Sequence, residues 1–197
     1  ETDYLDEFKA SLDDACILGA PVLMLPPFPR IRQVSLEDDR KAWTEYYAQA
    51  LPLARKAGVT LTLESTGMIN SPIVTVSEAL EVLRNVPGLK LTLDHGNMQT
   101  AEDAVEAYSI LKEHVVHVHL KDWKVYDSPR ADTTLKRCGK YFANAVIGKG
   151  DMDLRTFWEN LDSRGRNLYV NLETMDFMNP DSTPDVLKQV SDLLRNW

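Results

Sequence analysis

The sequence predicts an α/β fold on a parallel sheet and, among parallel architectures, a (β/α)8 barrel. Three observations carry that expectation. Strand-like apolar runs alternate with helical patterns along the whole chain, and no two of the strands are adjacent in sequence; strands separated by helices imply a parallel sheet with helices on its faces. Four of the five strands alternate polar and apolar residues, whereas the central strands of a doubly wound sheet, covered on both faces, are almost uniformly apolar. Each of those four strands also ends in its most ligand-like residue, and barrels carry their functional residues at the C-terminal ends of strands.

The elements follow in order. Residues 3–18 space Leu5, Phe8, Leu12, Ala15 and Ile17 at helical intervals, and Gly19 is placed to end that helix. Val22-Leu23-Met24-Leu25 is a short apolar strand stopped by Pro26, Pro27 and Pro29. Ser35 reads as the N-cap of a helix over 36–57 that ends at Gly58, with Pro52 inside it predicting a kink or break. Val59 to Glu64 alternates cleanly, a helix is expected from Ser77 to about Asn85, and Leu89 to Asp94 repeats the strand pattern. Thr100 reads as the cap of a helix running to about Glu113, followed by the strand Val115 to Leu120. Trp123 to about Val146 reads as a long irregular segment, then come Gly148-Lys149-Gly150, a helix over 153–164 and the last strand, Leu168 to Glu173. Thr183-Pro184-Asp185 opens a terminal helix with proline at its first position.

Composition narrows the function. The 197 residues suit a single domain spanning 1–197, and 44% hydrophobic with 26% charged residues is ordinary for a soluble globular chain. A net charge of −8 disfavours nucleic acid as a partner. No apolar run reaches the length of a membrane span and no signal peptide is visible, so a cytoplasmic protein without a membrane partner is expected. Cys16 and Cys138 read as free thiols in a reducing compartment.

The chemistry collects at strand ends. The run Val115-Val116-His117-Val118-His119-Leu120 puts His117 and His119 on one strand face, because side chains alternate with a period of two. Thr60, Thr62 and Glu64 share a face in the same way, as do Thr92 and Asp94, and Tyr169, Asn171 and Glu173. Four strand ends therefore offer Glu64, Asp94, His119 and Glu173. Three carboxylates converging in a desolvated pocket would raise one another's pKa values until some protonated, and a divalent cation removes that conflict. Oxygen-rich ligation with one imidazole suits Mn²⁺ first, with Mg²⁺, Co²⁺ or Zn²⁺ as alternatives.

Leu63-Glu64, Leu93-Asp94-His95-Gly96-Asn97, His117-Val118-His119-Leu120-Lys121-Asp122, Gly148-Lys149-Gly150-Asp151-Met152-Asp153 and Leu172-Glu173 occur in this order along the chain. Together they resemble the successive motifs of xylose-isomerase-like TIM barrels, and within them the sugar phosphate isomerase/epimerase group. The resemblance implies that Glu64, Asp94, His119 and Glu173 bind one divalent metal and that Glu64 and Glu173 flank the reacting carbon of a sugar or polyol. One glutamate would remove a proton to give a cis-enediolate and the other would return one from the opposite face. Loss of a β-hydroxyl from the same enediolate would make a dehydratase acting on a keto-polyol such as an inosose, so the resemblance leaves the reaction type open.

Other positions take secondary roles. Several keto-sugar epimerases of the group carry a substrate-contacting histidine where this chain has Asn97, and asparagine can still donate to a sugar hydroxyl. His117 is expected one layer below His119, supporting the site by hydrogen bonding, and is placed with Asn97 and Lys121 among the substrate-binding residues. Lys121 either meets a substrate phosphate or carboxylate or pairs with Asp122. His95 reads as a loop residue. Trp123, Tyr126, Arg130, Lys136, Arg137 and Tyr141 would suit a lid formed by the long segment that holds them. Endonucleases related to these barrels use several zinc ions and further histidines, and no histidine follows His119 here.

The resemblance begins at the fourth strand of such barrels, and a (β/α)8 barrel usually takes about 250 residues. The chain is therefore expected to hold about the last five βα units, with the first three absent. Its open sheet edges would pair with a missing N-terminal segment or in a homo-oligomer, because bare edges are rarely left exposed. A non-catalytic truncated barrel that pairs with another chain is the competing expectation.

Overall fold

The computed structural model of the chain describes residues 4–29, 34–163, 165–174 and 180–197. Asp3 and Arg164, the outer ends expected for two helices, lie outside the described residues. The chain runs through α1 (Tyr4–Leu18), β1 (Val22–Met24), α2 (Leu36–Lys56), β2 (Thr60–Glu64), α3 (Val76–Asn85) and β3 (Lys90–Asp94). A short α4 (His95–Met98) leads to α5 (Ala104–Leu111), β4 (Val115–Leu120), β5 (Asp122–Tyr126), β6 (Thr134–Leu135) and β7 (Tyr141–Ala145). The remaining elements are α6 (Leu154–Asn160), β8 (Tyr169–Leu172) and α7 (Thr183–Arg195).

Five strands form one sheet in the order β1, β2, β3, β4, β8, and every pair is parallel. Each new strand joins on the same side as the one before it. A doubly wound sheet reverses its direction of growth at a switch point, and no reversal occurs here. The sheet is half of a TIM-like barrel, as the polar–apolar alternation predicts.

The alternation decides which face goes where. Leu61, Leu63, Leu91, Leu93, Val118 and Leu120 face the helices and are almost wholly buried. They share one core with Tyr47, Ala50 and Ala54 of α2, Ala79, Val82 and Leu83 of α3, Leu111 of α5 and Phe157 of α6. Full burial of such a side chain contributes about 1.5–3 kcal/mol, so the leucine-rich outer face dominates the packing energy. The inner face is polar. Thr62 and Thr92 hydrogen-bond to each other at 2.8 Å across the β2–β3 pair. At the edge strand, the inward-row residue Tyr169 is 72% exposed.

Local chemistry sets the helix ends. Ser35 caps α2 by accepting from the Asp38 amide, and Thr75 and Glu78 form a reciprocal capping box on α3. Pro52 does not break α2, which continues from Leu36 to Lys56. Buried Tyr47, Ala50, Leu51 and Ala54 hold the turns on both sides of it against the core. The expected cap at Thr100 is corrected: Asp103 accepts from the Glu106 amide and starts the helix. The Thr100 hydroxyl instead donates to the carbonyl of Asn97 at 2.6 Å.

The larger correction concerns residues 123–146. They form not an irregular segment but a second sheet, antiparallel, in the order β5, β7, β6. Strand β5 follows β4 after Lys121 alone, so the expectation that no two strands adjoin in sequence fails here. Its strands are only two to five residues long and are separated by polar turns, which hides the strand pattern. It is docked on the barrel wall by Arg137, which donates to Glu78 at 2.7 Å and to the carbonyls of Ile69 and Ser71.

Burial pushes the Glu78 carboxyl up, but the Arg137 guanidinium and the amides of Thr75 and Val74 outweigh it and hold the group below its ordinary value. A depressed folded-state pKa means that the unfolded chain binds the proton more readily, so the stabilisation is complete above the unfolded value and lost as pH falls. Comparing wild type with Glu78→Gln by urea denaturation should give a stability difference that is constant above about pH 5.5 and shrinks as the pH falls through the ordinary value of 4.5.

Both cysteines are exposed free thiols. Among the described residues no helix is long and apolar enough to cross a membrane.

Candidate metal centre

Pairing in register brings the strand ends together. Asp94 lies beside His119 across β3–β4, and His119 beside Asn171 across β4–β8. Glu173 follows β8 directly, its amide donating to the Leu120 carbonyl at 2.9 Å. Glu64, Asp94 and His119 are buried, and Glu173 is partly exposed. One ligand atom from each of the four residues lies within 4.8 Å of all the others. The four candidates read from separate strands therefore converge on a single point.

His119 Nδ1 sits 2.9 Å from Glu64 Oε1 and 2.7 Å from Glu173 Oε1. Glu64 Oε1 and His119 Nδ1 are buried with only cluster members beside them, and buried Asp94 Oδ2 has only Lys121 beside it among the described residues. Buried polar atoms left in that state are costly unless something else satisfies them. Two donors about 2.1 Å from one octahedral ion lie about 3.0 Å apart, close to the spacing found here. The set of three carboxylates and one imidazole nitrogen thus fits a divalent cation in both geometry and charge.

The other Asp94 oxygen is already used. Asp94 Oδ1 accepts from the Asn97 amide at 2.8 Å, capping α4 and leaving Oδ2 turned to the cluster. Lys121 Nζ lies 3.1 Å from that Oδ2, also contacts Glu173 Oε2, and reaches Asn97 Oδ1 at 3.4 Å. One ammonium does not balance three carboxylates, and the titration of the cluster reflects this. Burial, resisted by Lys121 and reinforced by Glu64 and Glu173, pushes Asp94 up to about 6. The nearby His119 ring pulls Glu173 down to about 2, with Lys121 assisting against the opposing effect of burial. Burial would lower His119, but the Glu173 and Glu64 carboxylates beside it raise it to about 9.

The secondary candidates separate. His117 lies below His119 as expected, with ring centroids 4.7 Å apart and planes at 89°. Burial and then His119 lower its pKa, while the Asn171 side chain bonded to it acts the other way. Asn97 is buried at the rim against Gly67, where a Cβ would come within 2.8 Å of Asn97 Oδ1. His95 is no loop residue: it opens α4, is buried with its ring 4.6 Å from that of Phe157, and lies outside the four-residue cluster.

Asp122, one of the two alternatives expected for Lys121, has a different task. The two residues face opposite ways. Asp122 is 1% exposed, and its carboxylate accepts from the amides of Trp123, Gly148, Gly150 and Met152. The neighbouring Asp151 accepts from the Val125 amide and from Lys124 at 2.9 Å each. A Cβ at Gly150 would lie 1.9 Å from Asp122 Oδ1, so only glycine fits there. The Lys-Asp and Gly-Lys-Gly-Asp motifs are thus two halves of one loop anchor. The signal for it was a strand-end aspartate followed by a glycine-rich turn able to present amides.

Comparison with solved structures places this architecture among known ones. The chain superposes with a TM-score of 0.77 and 18% identity on an IolI protein with a bound zinc atom, covering 98% of this chain and 69% of that one. It matches the E. coli 3-keto-D-glucoside 4-epimerase YcjR with a TM-score of 0.72 and 20% identity, covering 98% of this chain and 70% of that one. For the probable 3-DHS dehydratase AsbF of Bacillus anthracis the values are 0.72 and 16%, over 97% and 72%. At these identities the likeness speaks for the fold. No curated protein matches the sequence. The family model described as xylose isomerase-like TIM barrel matches residues 1–197. The chain belongs to the xylose isomerase-like TIM barrel family.

Proposed function

We propose that this chain carries the site of a divalent-metal-dependent isomerase or epimerase of a sugar or sugar phosphate. The observation that carries the reading is the convergence of Glu64, Asp94, His119 and Glu173, with three of their ligand atoms buried and turned to one another or to Lys121. Those four residues would hold the ion, Mn²⁺ best matching the donor set. When bound, the ion would supply Lewis-acid stabilisation of the charge that develops on a carbonyl oxygen as the adjacent carbon loses its proton.

The side chains do the rest. Glu64 and Glu173 approach His119 from different strands and are the acid/base pair. One takes the proton from the carbon beside the carbonyl, leaving a cis-enediolate, and the other delivers a proton from the opposite face. Glu173, held ionised beside His119 and Lys121, is ready to accept. Asn97 and Lys121 line the rim as substrate contacts, and His117 supports His119 from below.

A second reading uses the same enediolate: expulsion of a β-hydroxyl makes the enzyme a dehydratase, the activity named for one structural neighbour. Both readings are tested on the full-length protein by elemental analysis, followed by incubation in D₂O with ketoses, ketose phosphates and inososes. About one divalent ion per chain and deuterium at the carbon beside the carbonyl are expected. A product lighter by one water selects the dehydratase. A preparation that binds no divalent metal overturns both.

A further inference from the structure

The antiparallel arm inverts the usual rule of apolar in and charged out. Between residues 131 and 140 the one buried residue is Lys136, at 7% exposure, while the preceding Leu135 is 40% exposed. Unpaired lysines are rarely buried, and no carboxylate among the described residues pairs with this one. Its ammonium lies 4.9 Å from the centroid of the Trp123 ring, and that of Lys121 lies 5.7 Å from the same centroid. Burial and then the Lys121 charge push the Lys136 pKa down, as befits a cation held beside another cation without a counter-ion.

The position is built rather than incidental. The Lys136 amide donates to the Lys140 carbonyl and the Gly139 amide to the Lys136 carbonyl, closing a tight turn with Gly139 at φ +81°. The turn is fixed to the barrel by the Cys138 amide, which donates to the Thr100 carbonyl at 3.0 Å. Thr100 in turn binds the carbonyl of Asn97, whose side chain meets Lys121. Trp123, the shared platform, is buried with its ring edge-on to Phe142.

Charge balance then separates the two lysines. The three carboxylates of the metal centre are offset by Lys121 and a divalent ion, so Lys136 is left without a counterpart among the described residues. We infer that Lys136 is a specificity residue that binds an anionic group, phosphate or carboxylate, carried by the substrate at the end remote from the metal centre. This rests on the proposed function and narrows its substrate class to anionic sugars or polyols. Neutral ketoses would leave the Lys136 ammonium buried and unsatisfied.

The test uses the full-length protein and, as probes, inorganic phosphate and acetate, followed by isothermal titration calorimetry. Wild type is compared with Lys136→Met, which keeps the length and removes the charge, and with Lys136→Arg, which keeps the charge. Lys124→Met is the control, because that exposed lysine pairs with Asp151. An ion in the metal centre also attracts anions, so the difference between variants carries the test.

Affinity for one of the probes should fall about tenfold or more in Lys136→Met, the loss of a contact worth about 1.4 kcal/mol. It should be largely retained in Lys136→Arg and unchanged in Lys124→Met. The probe that loses more identifies the source as phosphate or carboxylate. Equal affinities in wild type and Lys136→Met, or an equal loss in Lys124→Met, overturn the inference. Metal content measured on the same samples reports separately on the proposed function. Its absence with the Lys136-dependent binding intact would overturn the enzyme reading and leave the anion site standing.

Discussion

Glu173→Gln in the full-length protein is expected to reduce deuterium exchange at the carbon beside the carbonyl by at least about a thousandfold, within the range a positioned general base supplies. The substitution is nearly isosteric, but it removes the charge that meets both His119 and Lys121. Glu173 lies at the rim of the site with its side chain 34% exposed, so the core is untouched and the circular dichroism spectrum should match wild type. Exchange that survives the change would remove Glu173 from the acid/base pair. Retained metal with lost exchange would separate its proton-transfer role from its ligand role, because glutamine keeps one oxygen able to coordinate.

Asp122→Ala should produce the larger loss of stability. Four backbone amides end on this one buried carboxylate. Hydrogen bonds to a charged group contribute roughly 1.5–3 kcal/mol each, though not additively, and a buried donor left without an acceptor costs about 1–3 kcal/mol more. A destabilisation of about 4 kcal/mol, read from urea denaturation, is therefore expected. Asp122→Asn should recover only part of it, because the amide NH₂ turns a donor toward donors. A change below about 1 kcal/mol would mean that the amides find water instead. Because Asp122 touches none of the four clustered residues, metal binding by the folded fraction should persist.

Much of this was legible in the sequence, for a physical reason. Strands buried on one face and lining a site on the other must alternate, so Thr62 and Glu64, Thr92 and Asp94, and His117 and His119 announced both the barrel and the face on which ligands gather. Burial of the intervening leucines made that pattern clear. The arm of residues 122–145 was not legible because its strands are only two to five residues long and polar turns separate them. The start of α5 was misplaced because Thr100 and Asp103 are both good caps, and only the packing of α4 decides between them. Asp122 escaped because a carboxylate beside a lysine reads first as an ion pair. Which way adjacent side chains point at the end of a strand becomes visible only with the backbone.

That opposite pointing of Lys121 and Asp122 has a consequence for how the gene can vary. From His119 to Trp123, successive residues serve the ligand cluster, the core, the rim, the loop anchor and the aromatic platform. Inserting or deleting one residue in this stretch would exchange their destinations, sending a carboxylate to the rim and an ammonium among the amides of the glycine loop. The segment should therefore tolerate several point substitutions better than any change of length. Asp127 to Asp132, largely exposed at the far end of the arm, should accept insertions freely. Spacing, more than the identity of any one side chain, is what this part of the chain must keep.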